Sequence, residues 1–196
     1  MTIIINYSLE GNDVKYKNFI EIRQLPNYDR IVYINCSYND LTALPSKLPE
    51  SLQELYCYNN KLTKLPPNLP GSLQYLYCSD NKLTELPSKL PESLQYLYCS
   101  DNKLTELPSN LPESLQELYC YNNKLTSLPS KLPEALRGLE CSDNKLTSIP
   151  INLHELRNLK LFCYRNNEIE YIPPQTTRFL NRLKNKGLTQ PKLYND

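Results

Sequence analysis

The stretch Leu52-Gln53-Glu54-Leu55-Tyr56-Cys57-Tyr58-Asn59-Asn60-Lys61-Leu62-Thr63-Lys64-Leu65-Pro66 sets apolar residues at fixed intervals around one asparagine. The pattern returns every 21 residues. Cys36, Cys57, Cys78, Cys99, Cys120 and Cys141 keep that spacing, and Asn39, Asn60, Asn81, Asn102, Asn123 and Asn144 keep step with them. A seventh copy follows after an interval of 23, as Leu159, Phe162, Tyr164, Asn167, Ile169, Ile172 and Pro173, with Tyr164 in the cysteine's place. Leu55 and Cys57 alternate with Glu54, Tyr56 and Tyr58, the period of two that a strand with one buried face requires. Successive copies can pair only in parallel, because each return passes through a crossover, and stacking them buries the leucines in one continuous core.

The crossovers are not regular helices. In Leu44-Pro45-Ser46-Lys47-Leu48-Pro49 two prolines remove backbone donors and push the residues before them toward extended geometry. The seventh copy differs: Leu153, Leu156 and Leu159 stand at spacing three, which suits a helical turn. The asparagine column reads as structural, each side chain satisfying backbone groups that stacking would otherwise bury unpaired. Thr42, Thr63, Thr84, Thr105, Thr126 and Thr147 read as turn residues, not nucleophiles.

The order of Leu52, Leu55, Cys57, Asn60 and Leu62 resembles the leucine-rich repeat signature L-x-x-L-x-L-x-x-N-x-L, and the likeness runs from Ile31 to Pro173. The proline-rich unit L-P-x-x-L-P-x-S-L is most similar to short repeats of bacterial effector proteins and of some giant-virus proteins; cysteine at the sixth position departs from the usual aliphatic residue. The resemblance implies a leucine-rich repeat solenoid of the α/β class, a right-handed superhelix with one curved parallel sheet and an irregular or polyproline-like convex side. It also implies a scaffold used for binding other proteins, with the partner left open.

The expected organisation is an N-terminal cap over 1–30, seven repeats over 31–174, and a capping helix with a tail over 175–196. In the first cap Ile3-Ile4-Ile5 and Phe19-Ile20-Glu21-Ile22 read as hairpin strands separated by a turn at Glu10-Gly11-Asn12-Asp13. In the last, Thr177 reads as an N-cap, Phe179, Leu180 and Leu183 as the apolar stripe, and Gly187 as the stop. Arg178, Arg182, Lys184 and Lys186 are read as a solvated helix face.

Composition narrows the function. The formal net charge is +1, so no electrostatic excess points to nucleic acid or an anionic membrane. Ile3 to Ile5 is too short for a signal-peptide core, and no later run approaches a membrane span. Seven cysteines without a Cys-x-x-Cys pair fit a reducing setting. A cytoplasmic protein is expected, made in or delivered into a host cell, and the Asn-x-Ser tripeptides at Asn6 and Asn35 are read as chance.

No enzyme is expected. The single histidine, His154, lies in the seventh crossover, across the core from the strand that carries Cys163, and the four glycines are scattered. Effectors with similar repeats sometimes add a catalytic domain, ubiquitin transfer among their activities; only residues 175–196 follow the array, so none is expected. Six cysteines in register would form a line among leucines, without the tetrahedral set that zinc needs, so they read as small buried hydrophobes; no metal and no cofactor are expected. Cys163 aligns with Tyr56 and is expected to face outward as the one reactive thiol.

The outward strand positions carry the candidate site. The central column is Asn35, Tyr56, Tyr77, Tyr98, Tyr119, Glu140 and Cys163, with Tyr33, Tyr75 and Tyr96 on one side and Tyr58 and Tyr121 on the other. Asp80, Asp101 and Asp143 run beside it, then Lys61, Lys82, Lys103, Lys124 and Lys145. Tyrosine gives large contact area, a hydroxyl and little rotamer entropy to lose. Tyr33, Tyr56, Tyr58, Tyr75, Tyr77, Tyr96, Tyr98, Tyr119, Tyr121, Asp80 and Asp101 are the expected contacts for a partner protein. The alternatives are a ladder that merely stiffens the sheet and a self-associating scaffold, with a homo-oligomer as its product.

Overall fold

The computed structural model describes residues 1–8 and 12–185. Among the described residues one nine-stranded sheet extends from Ile3 to Cys163 in the order β2-β1-β3-β4-β5-β6-β7-β8-β9. The strands are β1 (Ile3–Asn6), β2 (Val14–Tyr16), β3 (Tyr33–Asn35), β4 (Glu54–Tyr56), β5 (Tyr75–Tyr77), β6 (Tyr96–Tyr98), β7 (Glu117–Tyr119), β8 (Gly138–Glu140) and β9 (Leu161–Cys163). From β3 onward every neighbour is parallel and in register, Leu55 beside Leu76 beside Leu97 beside Leu118. This is a leucine-rich repeat solenoid.

The period-two reading holds on the inner side. Leu55, Leu76, Leu97, Leu118 and Leu139 have no exposure, nor do Cys36, Cys57, Cys78, Cys99, Cys120 and Cys141. Burial pushes the thiols of Cys36 and Cys99 up to about 12. A neutral thiol in that setting packs as a small hydrophobe.

The asparagine column bonds as expected. Asn81 Nδ2 lies 3.0 Å from the Cys57 carbonyl, 3.1 Å from that of Cys78 and 3.0 Å from that of Ser79. Its Oδ1 accepts from Leu62 N at 2.9 Å. One side chain therefore ties two turns, and the set recurs at Asn60, Asn102, Asn123, Asn144 and Asn167. A second polar ladder was not anticipated from sequence: the hydroxyls of Ser72, Ser93 and Ser114 donate to carbonyls of the preceding copy, as Ser93 Oγ does to Gly71 and Leu73 at 2.8 and 2.6 Å.

The crossovers are irregular, and the seventh holds the expected helical turn, a 3-10 helix at Leu153–Glu155. The caps depart from expectation in detail. Phe19–Ile22 is not a strand: Phe19–Arg23 forms the short helix α1, and β2 at Val14–Tyr16 is the hairpin partner of β1. Asn18 and Glu21 explain the helix, since Asn18 Oδ1 accepts from Glu21 N while the Glu21 carboxylate accepts from Lys17 N, a reciprocal capping arrangement. Glu10 and Gly11 of the expected turn lie outside the described residues.

At the other end α2 (Pro174–Asn185) packs Leu180 against the last turns. It starts at proline, as first helical turns commonly do. Thr177 is therefore inside the helix, and its hydroxyl donates back to the Pro173 carbonyl at 3.2 Å instead of capping. Arg178 and Arg182 are exposed; Lys186 and Gly187 lie outside the described residues.

Candidate functional site: the outward face of the sheet

The register that buries each leucine turns its two neighbours outward, so the face is fixed by the core. Tyr56, Tyr77, Tyr98 and Tyr119 stand on consecutive strands, all half-buried, beside a second column of Glu54, Tyr75, Tyr96 and Glu117. Their rings pack on one another. Tyr56 and Tyr77 stack with centroids 4.5 Å apart and planes 7° from parallel, and Tyr75 and Tyr96 at 4.6 Å and 3°. Tyr77 meets Tyr98 edge-on at 4.5 Å, and Tyr98 meets Tyr119 at 4.6 Å and 34°. Tyr33 packs diagonally on Tyr56 at 5.4 Å. Tyr58 lies next to the strand end, where Tyr38 meets it edge-on at 5.1 Å.

The carboxylates join this layer through neutral donors. Tyr56 Oη donates to Glu54 at 3.0 Å, and Tyr98 Oη donates to Glu117. Burial first, and these carboxylates second or third, hold the phenols of Tyr56 and Tyr98 far above the usual range. Burial also raises Tyr77 and Tyr121 to about 12. The phenols of Tyr56, Tyr77, Tyr98 and Tyr121 are thus proton-bearing donors near neutral pH.

Asp80 and Asp101 have a structural role that sequence reading missed. With Tyr38, Asn59, Asn122, Asp143 and Asn166 they occupy a left-handed backbone position, φ 51 to 55°. Asn and Asp adopt that conformation more readily than other residues with a Cβ, and the alternation of Asn and Asp at this one position was the available signal. Asp101 also accepts from Asn122 Nδ2, and burial together with the charge of Asp101 raises the Asp80 pKa.

Cys163 is the main correction. It pairs with Glu140 on the outward side, as the alignment predicts, yet it is 8% exposed and not a surface thiol. Glu140, itself buried, accepts from Ser142 N at 3.0 Å. Burial, then the hydrogen bond to Glu140, push the Cys163 thiol up to about 12. Register sets which way a side chain leaves the strand, but neighbours decide whether water reaches it. His154 is partly exposed, with Nδ1 3.1 Å from the Ile151 carbonyl on the crossover side. Among the described residues no group of three or more His, Cys, Asp or Glu side chains could hold a metal ion, and no helix is long and apolar enough to cross a membrane.

Comparison with known proteins agrees with this geometry. The family profile described as "Leucine Rich repeats (2 copies)" matches residues 50–92, 71–113 and 92–134. A Shigella effector leucine-rich repeat domain is 32% identical, with 80% of this chain and 75% of that one covered and a TM-score of 0.67. The chain belongs to the leucine-rich repeat family.

YopM from Yersinia enterocolitica is 36% identical over 69% of this chain, which spans 28% of YopM, with a TM-score of 0.61. A leucine-rich repeat protein of Leptospira interrogans is 26% identical, with 74% of this chain and 51% of that one covered and a TM-score of 0.51. No curated protein sequence matches the chain.

Proposed function

We propose that the protein is a binding module without chemistry of its own, which holds another protein against the tyrosine-lined outward face of its sheet, the concave side in this fold. One observation supports this above the others: four consecutive strands present half-buried tyrosines whose rings are packed in place before any partner arrives. A rigid aromatic surface loses little entropy on binding. Tyr33, Tyr56, Tyr58, Tyr75, Tyr77, Tyr96, Tyr98, Tyr119 and Tyr121 supply the contact area. Asp80 and Asp101, already committed to the turn, border it. The effector-like relatives fit an intracellular site of action, and the unpaired thiols fit a reducing compartment.

The test separates fold from function. The double variant Tyr77→Ser/Tyr98→Ser should keep the far-ultraviolet circular dichroism of wild type and melt cooperatively, with a lower midpoint because three ring contacts are gone. Capture from a cell lysate should lose its partners, by on the order of 2 kcal/mol per strong anchor. A folded variant that captures the same proteins as wild type would remove the reading. If wild type instead captures only itself, and light scattering shows a defined oligomer, the face is a self-association surface.

A further inference from the structure

The charge of the outward face is lopsided. Strands β3 to β8 present no lysine, arginine or histidine outward, whereas Glu54, Glu117 and Glu140 stand among the rings. Asp80 and Asp101 border the same rings on the far side. The ion pairs of the described residues, Lys47 with Asp29 and Glu50, Lys61 with Asp40 and Lys131 with Glu113, involve none of these carboxylates. Glu54 and Glu117 accept from phenols, Asp101 from an amide, and Glu140 from a backbone N–H and the neutral Cys163 thiol. In a chain whose net charge is +1, the tyrosine face therefore carries uncompensated negative charge, and the lysine column stands apart on the loop rim.

We propose that the occupant of this face is a basic segment of a partner protein, laid along the ladder with arginine or lysine side chains over the rings. This rests on the binding reading above and names its chemistry. The stacked pair Tyr75 and Tyr96 offers two π-faces between two carboxylates, and a cation over a tyrosine face is attracted by the ring quadrupole. A guanidinium also fits the carboxylate edge while stacking on an aromatic plane. Glu54 and Glu117 each accept one phenol, and an ionised carboxylate has further acceptor sites. They stand three strand spacings apart, roughly 14 Å, a distance that about four residues of extended chain span. The pattern favours cations about four positions apart.

Selection from a displayed random short-peptide library tests this. Wild type should enrich peptides rich in arginine and lysine, and their affinity should fall as salt rises. Glu54→Gln/Glu117→Gln, which keeps volume and can still accept from the phenols, should lose about tenfold in affinity, while Lys82→Ala/Lys103→Ala should bind as well as wild type or better. If that glutamine variant unfolds, the salt dependence and the composition of the selected peptides still decide. Selected peptides that are neutral or acidic, yet lost on Tyr77→Ser/Tyr98→Ser, would overturn the basic partner and leave the tyrosine face standing. Peptides indifferent to both double variants would overturn both readings, and so would an empty selection.

Discussion

The two sides of strands β4 to β7 come from the same repeat and obey different rules. Inside, Leu55, Leu76, Leu97 and Leu118 are one residue type at one depth, and the cysteines two residues on are equally uniform. Outside, the strands divide into two kinds: β4 and β7 present Glu and Tyr, β5 and β6 present Tyr and Tyr. Packing density explains the first. An interior tolerates little change in volume, so every copy must fill the same space. The outer side is only half-buried and can vary, so under the proposed binding reading its acidic-aromatic order bears on a partner, whereas the leucines bear only on the fold.

The inner side should give way first at alkaline pH. The six ladder thiols hold their protons well above the ordinary thiol range, Cys36 and Cys99 up to about 12 and Cys57, Cys78, Cys120 and Cys141 also raised. Below the unfolded value near 8.5 both states are protonated and pH has no effect through these groups. Above it the unfolded chain ionises while the buried thiols of the fold keep their protons, so stability is lost as pH rises from there. Each thiol contributes about 1.4 kcal/mol per pH unit there. Six together would exceed the stability of an ordinary domain within about two units. Tyrosines join only near 10, so on the outer face Cys163 alone among the groups considered shares the early onset. Urea midpoints should be level to about pH 8.5 and then fall steeply; midpoints still level at about pH 10 would mean that the thiols meet water.

Adjacent residues sharpen the contrast. Leu97 has no exposure, and Leu97→Ala should cost about 2 to 5 kcal/mol through lost transfer energy and the cavity left behind. In a solenoid that loss falls on nearest-neighbour contacts, so the two halves of the array could also separate into two unfolding steps. A urea titration with a loss below about 0.5 kcal/mol would place Leu97 outside the core.

What the sequence made legible was direction; what it left hidden was coverage and local backbone geometry. Leu55, Cys57 and Asn60 recur in every copy from the second to the sixth, so their inward placement followed from period alone. Ile20 and Ile22 suit a strand by alternation, but Ile20 is 70% exposed and Ile22 not at all, because the Asn18 and Glu21 cap starts a helix there. Cys163 was placed on the correct side, and its burial beside Glu140 became visible only in the structure. Asp80 and Asp101 looked like contacts because they border the tyrosines, whereas their positive φ gives the turn first claim on them. The helix at Phe19 and the cover over Cys163 both depend on groups that periodicity does not name.

The smallest predicted effect divides the outer face itself. Tyr98 serves it in two ways, as a ring between Tyr77 and Tyr119 and as a donor to Glu117. Tyr98→Phe keeps the ring and removes the donor, which should cost about 0.5 to 1.5 kcal/mol, toward the low end because water can reach the carboxylate that is freed. Tyr98→Ser removes both and should cost more by the two cross-strand contacts, each worth roughly 0.2 to 1 kcal/mol. Urea unfolding of the two variants with unchanged m-values measures the difference. Equal losses would assign the ladder's stabilisation to the hydroxyl and its bond to Glu117, leaving the ring faces energetically idle in the free protein and open to a cation. A larger loss for Ser would mean that the rings are held by one another, so an arriving guanidinium must add to a stack already formed.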